Sequence, residues 1–462
     1  MRIRRALIVV LGLLALAGVP LARADLGTVG PDSPVCKVRQ TPPSVGLTQI
    51  SATPLDTRLT TYTFFSQALS QTVHANVLLP VGYSPTRAYS VLYLLHGHGG
   101  GYGDWASTAH GDVESIVTNQ RVIVVMPDGG YDGWYSDWYG SDLDGHTPYP
   151  PPAWETFHIR ELIPWVDATF STIGNRGGRA IAGLSMGGFG ATSYAARHPD
   201  MFGAAGSFSG AVDMDLDYPV GNIGEGVVSN LPDGRVPDMC VWGDPATQDV
   251  VWRDHDPTEL AGNLRGVWLY LASGTGVPGA QDAPNPAASL TEQGIWQMNQ
   301  VFAEALTVHG VGHYDNFYSQ GMHAWPYWRD DLRDFLTRLT FIPRPATFDY
   351  RTIATDFSVF RWHFRTDRTV KEFTYLEGVG PASGFRAGGS GTLTATSPPR
   401  TFARGRYLIT TPFGTTSPSA GGNGSMTFSI DLGPAHPVQQ YAFGQLGEAT
   451  LPVVDVTIAP AS

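Results

Sequence analysis

The spacing of apolar positions changes character along this chain. Thr60–Leu69 and His74–Leu79 read as short β runs, and after them strands and helices alternate. Ser90–Leu95 and Val122–Met126 are continuous apolar runs bounded by Gly or Pro, the pattern of strands buried on both faces. His158–Phe170 carries Ile159, Leu162, Ile163, Val166 and Phe170 at helical spacing. Arg179–Leu184 is another short strand, followed by the helix-compatible stretch Met186–Arg197. Val267–Ala272 repeats the buried-strand pattern, Ala287–His309 is helical in period, Tyr314–Tyr318 is a further strand and Trp325–Leu339 an amphipathic helix. This alternation predicts an α/β fold, a mostly parallel sheet with helices on both faces.

Near Phe341–Pro345 the pattern shifts to period two. Phe360, Trp362 and Phe364 alternate with Arg361, His363 and Arg365, and Met426–Leu432 and Val453–Ile458 behave likewise between Gly/Pro/Ser turns. An all-β, sandwich-like accessory domain is therefore expected over 346–462. At the other end, Arg2, Arg4 and Arg5 precede an apolar core, Ala6–Ala17, and the small-x-small triplet Ala22-Arg23-Ala24. That is a secretory signal, residues 1–24, cleaved after Ala24. The apolar stretch Ala6–Leu21 is broken by Gly12, Gly18 and Pro20, and a membrane span needs about 20 apolar residues. An arm over 25–45 then leads into an α/β domain over 46–341. A soluble protein, secreted or associated with the cell envelope, is expected.

Composition narrows the partners. Lys+Arg total 29 against 41 Asp+Glu, a net charge of −12, and counterion-releasing contact with nucleic acid needs clustered cations. Nucleic acid is excluded as a partner. With 42% hydrophobic and 15% charged residues, the chain is too apolar to stay a solvated coil. Two cysteines, Cys36 and Cys240, suit a disulfide in an oxidising compartment and are too few and too far apart for a metal site.

Gly183-Leu184-Ser185-Met186-Gly187-Gly188 carries the strongest chemical signal. An apolar strand runs into this Gly-x-Ser-x-Gly pattern and a helix leaves it, the context of a nucleophile elbow that lifts the Ser185 hydroxyl above a sheet. A serine hydroxyl needs an adjacent base. His323, in a late loop just before the last helix of the α/β domain, fits that place better than His309 and His313, at a helix–strand turn, or His255, in a long loop. Two carboxylates could orient the imidazole: Asp282, in the loop after the strand Val267–Ala272, or Glu292, farther along. His96-Gly97-His98-Gly99-Gly100-Gly101 follows the strand Ser90–Leu95. Its backbone amides can approach a developing oxyanion, and we assign the amides of His98 and Met186 to that role. The rival reading, a metal held by His96 and His98, lacks a carboxylate partner at fitting spacing. Trp134, Trp138, Trp325 and Trp328 are candidates for an apolar acyl or sugar wall, with Trp325 and Trp138 foremost, or are ordinary core aromatics. No phosphate loop, hydride-transfer fingerprint or metal-ligand cluster stands in the sequence, and neither cofactor nor metal is expected.

These residues together resemble the esterase-D/antigen 85 group of α/β-hydrolases, which includes secreted mycolyltransferases. The matching pieces are Tyr93-Leu94-Leu95-His96-Gly97, Met126-Pro127-Asp128-Gly129-Gly130, Tyr135-Ser136-Asp137-Trp138, Gly183–Gly188, Trp252-Arg253-Asp254-His255-Asp256-Pro257 and His323-Ala324-Trp325-Pro326-Tyr327-Trp328. The resemblance covers about residues 60–340 and implies an α/β-hydrolase catalytic domain. In that family the acid is a Glu seven residues before an Asn-Gln pair; Glu292 precedes Asn299-Gln300 by that interval, so the resemblance favours Glu292 over Asp282. The mycolyltransferases carry an Asp-Gly-Leu-Arg pattern where this chain has His96-Gly97-His98-Gly99. The resemblance therefore leaves the sugar acceptor and long acyl donor of those enzymes without their usual polar contacts.

The expected function is serine-dependent carboxylic-ester hydrolysis through an acyl-enzyme on Ser185, with His323 as base and Glu292 as its orienter. Two alternatives remain: an acyltransferase passing the acyl group to a sugar or another alcohol, and a non-catalytic envelope-binding protein on the same scaffold.

Overall fold

The computed structural model describes residues 36–142, 148–214, 217–218, 221–222, 240–280, 282–381, 384–441 and 451–461. The expected signal Met1–Ala24 and the first part of the arm lie outside the described residues. A nine-stranded sheet organises the first three-quarters of the chain. Its strands are β1 (Leu47–Pro54), β2 (Leu59–Ser66), β3 (Gln71–Leu78), β4 (Ser90–Leu95), β5 (Val122–Pro127), β6 (Arg179–Leu184), β7 (Ala204–Phe208), β8 (Trp268–Gly274) and β9 (His313–Tyr318). Across the sheet they run β9-β8-β7-β6-β4-β5-β3-β2-β1. Neighbours from β9 to β5 pair in parallel, and β5 to β1 pair antiparallel.

The continuous apolar runs are explained by which face each side chain takes. Val91, Tyr93, Leu95, Ile123, Val125 and Ile181 point into one core. Their alternates Leu92, Leu94, Val124, Ala180, Ala182 and Leu184 point into another. Helices seal both: α1 (Met186–Arg197) and α3 (Pro286–Val308) cover the first face through Phe189, Tyr194, Met298 and Phe302. The closing helix α4 (Trp325–Arg338) covers the second through Leu332, Phe335 and Leu336. The chain is an α/β-hydrolase fold.

Three elements escaped the sequence pattern. β7 is Ala204-Ala205-Gly206-Ser207-Phe208, too small and weakly apolar to stand out; a Cβ on Gly206 would come within 2.8 Å of the Phe335 ring. The strand is thin because α4 presses on it. Edge strand β1 is mostly exposed, so no buried run marks it. His255, expected in a long loop, ends helix α2 (Pro245–His255), which is irregular at Gln248 with φ −122°. That break, and the mixed polar sequence around it, hide the helical period.

Beyond Pro345 the strands form two antiparallel sheets. One joins Phe348–Thr352, Thr374–Val379, Gly384–Gly388, Val453–Pro460, Gly405–Thr411 and Gly414–Thr416 in that order, with Ser419–Ala420 at its side. The other joins Asp356–Val359, Trp362–Thr366, Thr392–Thr396 and Thr427–Asp431. Their inward alternates, among them Leu376, Phe385 and Val456 from the first and Trp362, Phe364 and Phe428 from the second, share one core.

This β region docks at the end of the large sheet remote from Ser185. Tyr350 Oη donates to the Arg197 carbonyl at the last turn of α1 (2.7 Å), and the Ile353 amide donates to Asp254 (3.0 Å). Arg351 pairs with Glu259 at 2.9 Å while its guanidinium lies 3.9 Å over the Phe373 ring. Helix α1 has 12 residues and so separates the two ends by about 18 Å at 1.5 Å per residue. Cys36 and Cys240 form a disulfide, Cα–Cα 5.6 Å, beside the short antiparallel pair Cys36–Val38 and Gly140–Asp142.

Candidate active site

Strand order reverses around β4: the chain passes from β4 to β5 on one side and returns to β6 on the other. In open α/β sheets the crevice beyond the carboxyl ends of such strands is where ligands bind. Here β4 runs into His96–Gly101 and β6 into Ser185. Register sets the next layer. Leu95 pairs with Gly183, Leu184 with Phe208, and Phe208 with Ala272. Ser185, Ser209 and Ser273 therefore emerge side by side.

Ser185 has φ +53° and ψ −120°, a conformation that a non-glycine residue adopts only under constraint. The constraint is close packing of the turn. A Cβ on Gly183 would stand 2.4 Å from the Gly187 carbonyl oxygen, and one on Gly187 would stand 2.6 Å from the carbonyls of Leu95 and His96. The two glycines of the elbow are thus required by backbone approach. Ser185 then serves as N-cap of α1, whose first amides have no partner within the helix.

Ser185 Oγ donates to His323 Nε2 at 2.8 Å. His323 Nδ1 donates to Glu292 Oε2 at 2.7 Å. Glu292 is fully buried on α3, and its other oxygen, Oε1, accepts from Ser209 Oγ (2.7 Å), Ser273 Oγ (3.0 Å) and the Gly274 amide (2.8 Å). With three donors on one oxygen, the carboxylate acts as an acceptor toward the imidazole. That fixes the proton on Nδ1 and leaves the Nε2 lone pair for the serine. Ser209 itself is held at φ +48°, with its amide donated to the Ala272 carbonyl at 2.7 Å. Sequence reasoning missed Ser209 and Ser273. The signal was available for Ser273 at the end of a recognised strand, and absent for Ser209 because β7 was not recognised.

Asp282 is placed elsewhere: its Oδ2 accepts from Tyr327 Oη and from the Gly279 amide, each at 2.6 Å. Of the rival histidines, His255 is buried, with Nδ1 2.8 Å from the Val251 carbonyl; burial pulls its pKa down to about 4, so it is neutral. His313 Nδ1 lies 2.9 Å from the Val311 carbonyl.

The two histidines of the glycine turn have separate fates. His96 is buried, and burial lowers its pKa, which favours the neutral ring. Nδ1 donates to the Gly97 carbonyl (2.8 Å) and Nε2 accepts the Gly129 amide (2.8 Å). Both nitrogens are committed to backbone, so His96 is a strut between two loops and has no lone pair for a metal. His98 faces the cavity and meets the Tyr131 ring edge-on at 5.0 Å. Among the described residues no group of three or more His, Cys, Asp or Glu is arranged to hold a metal ion.

A cavity of about 840 Å³ opens over Ser185 and His323. Trp134, Ala211 and Ile295, all from the first core, give it an apolar wall. Trp325, Trp328, His110 and Asp104 build another. Trp138 corrects the sequence expectation. It is buried in the core with Nε1 donated to the Gly133 carbonyl (3.0 Å), and it does not line the cavity. Trp134, four residues earlier at φ +48°, lines it instead. The run that carries both tryptophans is a turn, where alternation does not tell inward from outward.

The α/β part of the chain is similar to known proteins. The Esterase family model matches residues 66–339. The esterase Rv1288 of Mycobacterium tuberculosis is 33% identical over 309 residues, 65% of this chain and 63% of that protein. The diacylglycerol acyltransferase/mycolyltransferase Ag85B of Mycobacterium leprae is 34% identical over 232 residues, 48% of this chain and 67% of that one. Among solved structures, MPT51 (FbpC1) of Mycobacterium tuberculosis aligns with TM-score 0.46 and 25% identity, over 58% of this chain and 92% of the other. The chain thus spans just under two-thirds of the length of the Rv1288 esterase.

Proposed function

The chain belongs to the Esterase family, whose model spans residues 66–339, and from that premise we propose that it is a secreted, serine-dependent carboxylic-ester hydrolase working through an acyl-enzyme. One observation carries the reading: His323 bridges Ser185 Oγ at 2.8 Å and the buried Glu292 at 2.7 Å.

Ser185 Oγ attacks the ester carbonyl carbon while its proton passes to His323 Nε2. The amides of His98 and Met186 receive the oxyanion, Met186 as the first residue of α1 and His98 from the glycine turn. The bond to the alcohol oxygen breaks, His323 returns the proton to that oxygen, and the acyl group remains on Ser185. Water then attacks the acyl-enzyme and gives a proton to His323; that proton returns to Ser185 Oγ as the acid leaves. Every role falls on a protein group, and the scheme uses no cofactor.

Acyl transfer to an alcohol is the second reading. It shares every step up to the acyl-enzyme, and it is supported by the 34% identity to a protein named as a mycolyltransferase. The intact serine–histidine–glutamate line weighs against a purely binding role. Export is supported by the Cys36–Cys240 disulfide, which persists in oxidising compartments. Among the described residues no helix is long and apolar enough to cross a membrane. In this reading 25–45 is an arm, 46–341 the catalytic domain and 346–462 an accessory domain. The β region's docking at the far end of α1 supports an accessory role outside the reaction.

The two outcomes are separated by mass spectrometry of the products formed from a short-chain nitrophenyl ester, with and without glycerol in the buffer. Hydrolysis predicts free acid as the main product in both cases. Glycerol ester outweighing free acid would reassign the protein as a transferase.

A further inference from the structure

We propose that the outer edge of β9 is a docking site for an extended, basic segment of a partner protein, which adds a strand to the large sheet and seats an arginine or lysine on each face. Among the described residues β9 pairs with β8 alone, in parallel register from His313 to Tyr318, and so ends the sheet. Its other side presents backbone N–H and C=O groups without a ladder. The opposite end of the sheet is guarded. There β1 has a register break between Gln49 and Ser51 and finishes on Pro54, devices that discourage a further strand. β9 has neither: its six residues, His-Tyr-Asp-Asn-Phe-Tyr, keep an unbroken register.

A cavity flanks this strand on each face. Asn316 and Tyr318 line one of about 560 Å³ together with Asp330, Asp331 and Asp334 of α4. Their alternates His313, Asp315 and Phe317 line another of about 440 Å³ together with Glu304 and Thr307 of α3. An added strand sends successive side chains into one and then the other, so backbone bonds supply affinity and the cavities supply selection. Charge decides what is selected. Asp330 and Asp334 are already paired, with Arg333 at 2.7 Å and Arg338 at 2.8 Å. Asp331 is buried and holds only long contacts, 3.4 Å to Asn316 Nδ2 and 3.3 Å to Tyr318 Oη. On the other face Asp315 lies 3.6 Å from His313 Nε2, and Glu304 stands exposed nearby. Burial raises the pKa of both Asp331 and Asp315, as expected of carboxyl groups short of a counter-charge. A guanidinium or ammonium group supplies that charge through charge-assisted hydrogen bonds. A second copy of this chain is the poorer occupant, since it brings the same acids to the same edge.

The probe is a capped, fluorescein-labelled peptide, Thr-Arg-Val-Thr-Arg-Val-Thr, whose two arginines fall on opposite faces of a strand. Its binding to the full chain is read by fluorescence anisotropy at physiological salt. It should bind at least about tenfold more tightly than the same peptide with glutamate in place of arginine. Proline in place of both valines keeps the charge and removes a backbone donor on the bonding side in either register. That change should weaken binding by about fivefold or more. Asp315→Lys and Glu304→Lys should each weaken binding of the arginine peptide by about fivefold or more, with thermal melting unchanged from the parent. Equal binding of the proline peptide would reduce the effect to plain ion attraction and overturn the added strand. Affinity unmoved in both variants would place the site elsewhere. A monomeric protein that takes no peptide would also overturn the proposal, and a dimeric one that takes none would give the edge to a second copy.

Discussion

Replacing Ser185 by alanine should lower kcat on a short-chain ester by roughly 10⁴-fold or more and leave the fold intact. The size follows from the division of labour at the site. In the proposed mechanism serine, imidazole and carboxylate act as one unit, so loss of the nucleophile should remove nearly all that the unit supplies, about 10⁶ in the best-studied serine hydrolase. What remains would come from the two amides assigned to the oxyanion and from substrate binding, which the substitution leaves in place. The fold should tolerate the change. Alanine keeps the Cβ that the elbow already accommodates at φ +53°, and the Ser185 amide still donates to the Phe208 carbonyl at 3.0 Å. Circular dichroism and thermal melting of the variant should match the parent, and steady-state kinetics give the loss. Activity within tenfold of the parent would show that another residue carries the chemistry.

Glu292→Gln and Asp282→Asn should part company widely. The first should lower kcat by about 10³–10⁴-fold. A glutamine must point its amide nitrogen either at the donors Ser209, Ser273 and Gly274 or at His323 Nδ1. The three donors need an acceptor oxygen. Satisfying them turns the NH₂ toward the imidazole, which then carries its proton on Nε2 and cannot take one from Ser185. Asp282→Asn should change kcat by less than about threefold, because Asp282 contacts Tyr327 and Gly279 and is not bonded to His323. A normal rate in Glu292→Gln would remove the carboxylate from the mechanism, and a collapse in Asp282→Asn would move that role to the other acid.

Much of the site was legible in the chain because its parts are local. The Gly183–Gly188 turn declares itself by glycines that backbone approach demands, and the buried strands β4, β5 and β6 declare themselves by unbroken apolar runs. His323 was legible by position, one residue before the N-cap of α4. The choice between Asp282 and Glu292 was not a local matter. Both acids follow β8, and only the way α3 lies across the ends of β7 and β8 puts Glu292 against His323. Resemblance, not pattern, favoured Glu292 beforehand. Trp138 was misplaced because tryptophan looks alike to the sequence whether its indole N–H meets a backbone carbonyl in the core or its ring faces a cavity. Asp104 and His110 were silent for a related reason. Nothing in a polar, glycine-rich loop indicates that it folds back onto a tryptophan more than 200 residues later.

The most direct measurement is peptide mapping by mass spectrometry after brief treatment of the full chain with a fluorophosphonate. The account predicts one adduct, on Ser185, formed quickly in the parent protein and slowed by orders of magnitude in His323→Ala. An adduct on a different residue, or labelling at Ser185 that is indifferent to loss of the imidazole, would contradict it.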